Sequence, residues 1–266
     1  MSPRAVRAIF FDAGNTLVHM DYEAITSALA REGVVATVGD VQRAEWRARV
    51  RLDATFHPGA STEQPDTADR YLGFVLDELD VRNPATVAAL NAWRRAYNPP
   101  DGLWTVVEPE AQAALVLARR AGLAAAVISN SNGTIAAILD TLGLGRHLDF
   151  VIDSSRVGVE KPDPRIFQIA LQRARLEPEQ ATYVGDLYSI DVLGARAAGL
   201  HAVLMDPGRY WPPRDCPTVP TALAAVHLIL DGTATENVES ELRPGRPPSP
   251  PGGTGGGCYG GSVTKG

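Results

Sequence analysis

Two hydrophobic rhythms alternate along most of this chain. Apolar runs of strand length recur at AVRAIFF (5–11), LAAAVISN (123–130), HLDFVIDSS (147–155), ATYVGD (181–186) and LHAVLMD (200–206). A short continuous apolar run predicts a strand buried on both faces of a parallel sheet. Between the runs lie stretches with helical spacing: AQAALVLARRAG (111–122), TIAAILDTLG (134–143), DPRIFQIALQRARL (163–176) and IDVLGARAAG (190–199). Glycines close the first two, as helix stops do. This βαβα order predicts an α/β fold: an open, mostly parallel, Rossmann-like sheet with helices on both faces and right-handed crossovers.

Residues 18–103 interrupt the rhythm. They hold four helical stretches, YEAITSALAREG, VQRAEWRARVRL, TADRYLGFVLDEL and PATVAALNAWRRAY, and no convincing buried strand. An all-helical inserted domain is expected there, with 53–67 as a loop between its helices. The α/β core then comprises 1–17 and 104–232. From about residue 233 the composition shifts. Within 244–266, 14 of 23 residues are Gly or Pro, too few apolar groups to bury a core, so 233–266 is expected to be a disordered tail.

Composition narrows the partners. A formal charge of −6 over 266 residues argues against nucleic acid or an anionic membrane as the main partner. No apolar run approaches the roughly 18 residues of a membrane span. The N-terminal apolar stretch is broken by Asp12, unlike a signal peptide. Two cysteines, Cys216 and Cys258, make no disulfide framework. A cytoplasmic protein is expected. Against 23 arginines there are two lysines, Lys161 and Lys265, which singles out the internal one.

In an open parallel sheet, ligands bind beyond the carboxyl ends of the strands. The polar residues at those ends are Asp12, Ser129 with Asn130, and Asp186, with Asp191 five positions on; Lys161 lies in GVEKPDP, just before a helix. Taken singly, each could be a cap or a turn residue. Together they supply a nucleophilic carboxylate, a hydroxyl with adjacent amides, a cation and further carboxylates, an inventory suited to phosphoryl transfer with a hard divalent cation.

In order and spacing the stretches FFDAGNTL, VISNS, KPDPRIF and YVGDLYSID resemble the four motifs of the haloacid dehalogenase (HAD) superfamily, over about residues 5–206, with a helical cap inserted after the first. The resemblance implies that Asp12 is a nucleophile forming a covalent aspartyl intermediate. It implies that Ser129 and the Asn130 amide bind the transferred group's oxygens, and that Lys161 neutralises charge between that group and Asp12. Asp12, Asp186 and the Gly14 carbonyl would hold Mg²⁺. Asp191 would support the metal through water or hold Lys161, and Thr16 would brace the first motif by hydrogen bonding. The implied reaction is phosphohydrolysis of a small phosphorylated metabolite.

One tool is missing. Family phosphatases carry an aspartate two residues after the nucleophile, as general acid and base; here that residue is Gly14. Loss of such a group lowers rates about 10²–10⁴-fold. Three readings follow: a phosphohydrolase lacking its internal acid, a dehalogenase of the 2-haloacid type using the same Asp12, and a weakly catalytic phosphate- and metal-binding regulator. A retained Asp186 beside Asp12 argues for a cation between them and so for the first. The resembling phosphonoacetaldehyde hydrolases need a cap lysine, and 18–103 contains none. His19, Asp21 and Tyr22 are candidates for a surrogate acid, His19 first on pKa grounds; the alternative is that they are hinge residues. Asn15 tolerates left-handed backbone better than most residues and reads as structural. Arg43, Arg47 and Arg51 share a helix face, either to recognise a second anion or as a solvated stripe; Arg49, Arg94 and Arg95 add to the crowding. Trp46 and Trp93 are expected to pack.

Overall fold

The computed structural model describes residues 5–56 and 61–241. The chain opens with β1 (Ala8–Phe11) and β2 (Val18–Met20), then four helices, α1 (Tyr22–Arg31), α2 (Val38–Asp53), α3 (Pro65–Glu78) and α4 (Pro84–Ala96). β3 (Trp104–Val107), α5 (Ala111–Arg120), β4 (Ala124–Ser129), α6 (Ile135–Thr141), β5 (Phe150–Asp153), α7 (Ser154–Val157) and α8 (Pro164–Ala174) follow. β6 (Ala181–Gly185), a π-helical turn (Tyr188–Val192), α9 (Leu193–Ala197), β7 (His201–Met205), β8 (Thr218–Val219) and α10 (Ala222–Glu241) complete it.

Among the described residues, one sheet runs in the order β5-β4-β1-β6-β7-β8, every pairing parallel. The continuous apolar runs are explained by its two faces. Ile9 and Phe11 of β1 pack with Ala114, Ile138 and Val226 of α5, α6 and α10. Ala8 and Phe10 point the other way, to Phe167 and Ala195 of α8 and α9. β1 lies between β4 and β6, and Phe11 is level with Val127 and Val184. Asp12, Ser129 and Asp186 therefore leave neighbouring strands at the same edge, where the strand order reverses and a crevice opens.

The insert has its own core, in which Tyr22, Ile25, Leu29, Val41, Ala48, Tyr71, Val75 and Leu90 share one cluster. Helix α2 starts at a capping box, Thr37 and Asp40 each satisfying the other's backbone N–H. Two elements join insert to core that periodicity did not predict: β2 and β3 pair antiparallel as a short ribbon. Three or four residues are too few for an alternation to register.

At the other end, α10 runs to Glu241, beyond residue 233 where the tail was expected to begin. Ala222, Ala225, Val226 and Ile229 anchor it at helical spacing, and no Pro lies between Ala222 and Glu241 to break it. The remainder of the expected tail, 242–266, lies outside the described residues. No helix among the described residues is long and apolar enough to cross a membrane.

Candidate active site

Asp12 follows the central strand and is tied to its neighbour by its own N–H, which donates to Val184 O at 2.8 Å. Lys161 reaches it from the turn before α8. Its Nζ donates to Asp12 Oδ1 at 2.6 Å, Asp191 Oδ1 at 2.7 Å and Tyr183 Oη at 2.8 Å. An ammonium has three N–H donors, and all three are used. Tyr183 passes its own hydrogen to Ile128 O at 2.9 Å. The lysine is thus fixed as a buried cation with Asp12 Oδ1 as one acceptor, while Oδ2 stays off it.

Asn130 holds the lysine's backbone. Its Nδ2 donates to Lys161 O at 2.9 Å, and Lys161 N–H donates to its Oδ1 at 2.7 Å. The expected role for Asn130 used only its backbone amide; the side chain adds a two-bond clamp. Ser129, adjacent and buried, donates to Asn130 O at 3.2 Å.

Asp191 has both oxygens engaged. Besides Lys161 on Oδ1, Oδ2 accepts the N–H groups of Asp186 at 3.0 Å and Leu187 at 2.9 Å. Of its two expected roles, holding Lys161 is the one its contacts match. Asp12, Asp186 and Asp191 each place an oxygen within 4.8 Å of the others. Burial first, then the neighbouring carboxylates, pushes Asp12 and Asp186 above the usual aspartate range; Lys161 opposes the shift at Asp12 and Arg49 at Asp186. Burial opposes the charge on Lys161 as well, but Asp12 and Asp191 outweigh it and raise the ammonium's pKa. Oxygen donors with surplus negative charge suit a hard divalent cation, and with Asp191 saturated the side-chain donors are Asp12 and Asp186.

The first-motif turn departs from expectation at Thr16. Its buried hydroxyl has no hydrogen-bond partner among the described residues. Backbone bonds brace the turn instead: Leu17 and Val18 N–H donate to Ala13 O at 2.9 and 3.0 Å, and Asn15 N–H to Val18 O at 2.5 Å. Asn15 has φ 53°, the left-handed conformation anticipated for it. Its side chain does more than shape the turn, donating to Asp186 Oδ2 at 3.2 Å and Tyr71 Oη at 3.1 Å. At Gly14 a Cβ would stand 3.2 Å from Trp104 Nε1 and 3.3 Å from its Cδ1. The indole of the hinge strand β3 crowds the direction in which a side chain would leave residue 14.

From the cap, Arg49 reaches the site. It is 1% exposed, with Nη1 3.5 Å from Asp186 Oδ2 and a bidentate pairing to buried Glu45. Tyr22 and Tyr71 also donate to Glu45. An unbroken polar chain therefore runs from Tyr22, Glu45, Arg49 and Tyr71 to Asn15 and Asp186. The 43/47/51 stripe does not face the site: Arg43 pairs with Asp40, and Arg47 and Arg51 with the α3 carboxylates Asp77 and Glu78. Arg94 and Arg95 share Asp69. The surrogate-acid candidates are occupied elsewhere. His19 Nδ1 is 2.7 Å from Met20 O and its ring stacks on Tyr22; Asp21 caps α1 and accepts from Tyr97.

Comparison with known proteins gives three kinds of match. A family model described as haloacid dehalogenase-like hydrolase matches residues 6–199. The haloacid dehalogenase-like hydrolase domain-containing protein 3 of Mus musculus is 48% identical over 38% of this chain and 40% of its own length. A phosphoserine phosphatase of Thermus thermophilus is 46% identical over 38% of this chain and 41% of its own. The matches thus span about two fifths of these curated relatives. Among solved structures, a dehalogenase with an intermediate complex superposes with TM-score 0.57 at 22% identity, over 84% of this chain and 97% of that one. At that identity the likeness is one of fold.

Proposed function

The chain belongs to the haloacid dehalogenase-like hydrolases, and from that premise we propose that it hydrolyses small phosphate monoesters through an aspartyl-phosphate on Asp12, with Mg²⁺ as cofactor. The observation that carries this reading is the convergence of Asp12 and Asp186 beside a lysine whose donors are already spent. Two buried carboxylates in that position call for a further cation, which a hard metal with Asp12, Asp186 and the Gly14 carbonyl as ligands supplies. When bound, that ion neutralises charge on the phosphoryl oxygens.

The chain's own residues do the rest. Lys161 holds Oδ1 of Asp12, so that Oδ2 is the atom presented to phosphorus. Ser129 and the Asn130 N–H receive the phosphoryl oxygens, and the Asn130 side chain keeps Lys161 in register. Asp191 positions Lys161 and the 186–187 turn. Relatives' names, among them phosphoserine phosphatase, support a small anionic metabolite as substrate. The acidic balance of the chain supports a cytoplasmic small-molecule enzyme with neither nucleic acid nor membrane as partner.

A metal-free alternative, hydrolytic dehalogenation with the same Asp12, draws on one observation: Arg49 already stands against Asp186 as a cation. One experiment separates the two. Phosphate release from para-nitrophenyl phosphate and acetyl phosphate is followed with Mg²⁺, with chelator, and in Asp12→Asn. Turnover lost in both chelator and variant is expected. Halide release from 2-haloacids that persists in chelator, without phosphate release, would sink the phosphatase reading.

A further inference from the structure

The cap loop just before α3 is pinned onto the active-site rim at two points. Ser61 Oγ donates to Glu160 Oε2 at 3.0 Å, and Asn130 Nδ2 donates to Thr62 Oγ1 at 2.9 Å. Asn130 is the residue that clamps Lys161, and Glu160 directly precedes that lysine. The next residue in the loop is Glu63, its N–H donating to Ser61 Oγ at 3.1 Å and its Oε1 accepting from Thr62 Oγ1 at 3.4 Å. No part of the machinery described above uses it.

We propose that Glu63 is the general acid and base of the reaction, doing from the cap what Gly14 cannot do from the floor of the site. This role deepens the phosphohydrolase reading and rests on it. In-line displacement puts the leaving oxygen opposite the attacking one. Asp12 attacks from the strand ends, so the leaving oxygen points away from them toward the cap, whose loop carries Glu63 at the active-site rim. In the first step the Asp12 Oδ2–phosphorus bond forms, the bond from phosphorus to the leaving oxygen breaks, and the Glu63 carboxyl gives its proton to that oxygen. In the second, the Glu63 carboxylate takes a proton from water as the water oxygen attacks phosphorus. The phosphorus–Asp12 bond breaks, phosphate departs, and both carboxyl groups return to their starting states.

The environment is consistent with both roles. Glu63 lies at the exposed edge of the cleft, where solvent can exchange its proton. Desolvation where the loop meets the core, then the carboxylate of Glu160, pushes its pKa up to about 7; Thr62 and Lys161 oppose, and Asp12 adds to the rise. A group poised near the working pH serves best as acid in one step and base in the next.

The test compares wild type, Glu63→Gln and Asp12→Asn on an alkyl phosphate and on para-nitrophenyl phosphate, with Mg²⁺ and full-length protein. Glu63→Gln is expected to lower kcat on the alkyl ester about 10²–10⁴-fold. It should also release para-nitrophenol in a stoichiometric burst followed by slow turnover, because the good leaving group needs no acid while hydrolysis of the aspartyl-phosphate still needs the base. The fall in wild-type alkyl-ester rate above about pH 7 should vanish, and Glu63→Asp should recover part of the rate. Equal slowing of both esters without a burst, or Asp12-dependent turnover indifferent to Glu63, overturns this inference alone. Absence of Asp12-dependent phosphate release from any ester overturns the phosphohydrolase reading and this inference together.

Discussion

Arg49→Met is the most informative single perturbation of the cap–core junction. The guanidinium is buried, paired twice with Glu45 and 3.5 Å from Asp186. At an effective dielectric of about 20, a pair at that distance gains about 5 kcal/mol gross, much of which offsets the desolvation of both ions. Removing the arginine forfeits the attraction but leaves Glu45 and Asp186 where they are, so the loss follows the cost of an uncompensated buried charge, about 3–5 kcal/mol. Glu45 keeps the donors Tyr22 and Tyr71, which places the expectation at the low end. At about 2–4 °C per kcal/mol for a chain of this size, the unfolding midpoint in chelator should fall by about 6–12 °C. Adding Glu45→Gln, which removes the stranded charge yet still accepts from both tyrosines, should recover much of it, with a coupling of about 1–3 kcal/mol. The assay is thermal and urea unfolding of the two single variants and the double. A loss below about 1 kcal/mol, or single effects that simply add, would refute the bridge.

Two further outcomes are expected. Asp12 and Asp186 carry folded pKa values above the ordinary aspartate range, about 6 for Asp12, so the stability they contribute is fully present below about pH 4 and is lost as pH rises through those values. In chelator, wild type should therefore lose stability relative to Asp186→Asn as pH rises above about 4; midpoint curves that stay parallel as pH rises would count against the carboxylate crowding. Gly14→Asp, which forces a side chain onto the Trp104 indole, should lower stability by about 1–3 kcal/mol and leave alkyl-phosphate turnover unimproved, whereas Gly14→Asp with Trp104→Ala should raise it; restoration by the single variant would show that the indole yields freely.

Much of the core was legible because its strands are buried on both faces. IFF and AVIS carry that burial in every residue, and a parallel sheet then aligns whatever follows each strand. Asp12, Ser129 and Asp186 could be collected in advance for that reason. Elements without such redundancy escaped. β2 and β8 are three and two residues long, and ALAAVHLIL in α10 is too apolar all round for a polar face to distinguish helix from strand. Thr16 differs: a hydroxyl in a tight turn is a reasonable brace, but backbone bonds already hold this turn and leave the hydroxyl without a partner among the described residues.

The cap's contributions were the hardest to see, since no local pattern encodes how an inserted domain docks on its core. Even so, a signal was present in α2. Val41, Ala44, Ala48 and Leu52 mark its buried face, and Glu45 and Arg49 lie on that same face four residues apart. Charges of opposite sign inside an apolar stripe predict a buried pair, which the more conspicuous 43/47/51 spacing overlies in the sequence. No comparable pattern marks Glu63, whose position depends on Ser61 and Thr62 finding Glu160 and Asn130 across the cleft.

The glycine that first set this chain apart has a physical explanation in the same junction. Residue 14 faces Trp104, Trp104 stacks on Tyr71, and Tyr71 joins Asn15 to Glu45. The space that a second motif carboxylate would claim is thus taken by the hinge strand and the cap's polar chain. A carboxylate there would also add a negative charge beside Asp12 and Asp186, whose pKa values burial and neighbouring carboxylates already raise. Moving the acid to the cap loop relieves both constraints, and it has a consequence for catalysis. An acid on the floor is in place whether the cap is open or shut, whereas one on the cap acts only when Ser61 and Thr62 are seated. Proton transfer is then tied to the docking of the 61–63 loop on Glu160 and Asn130.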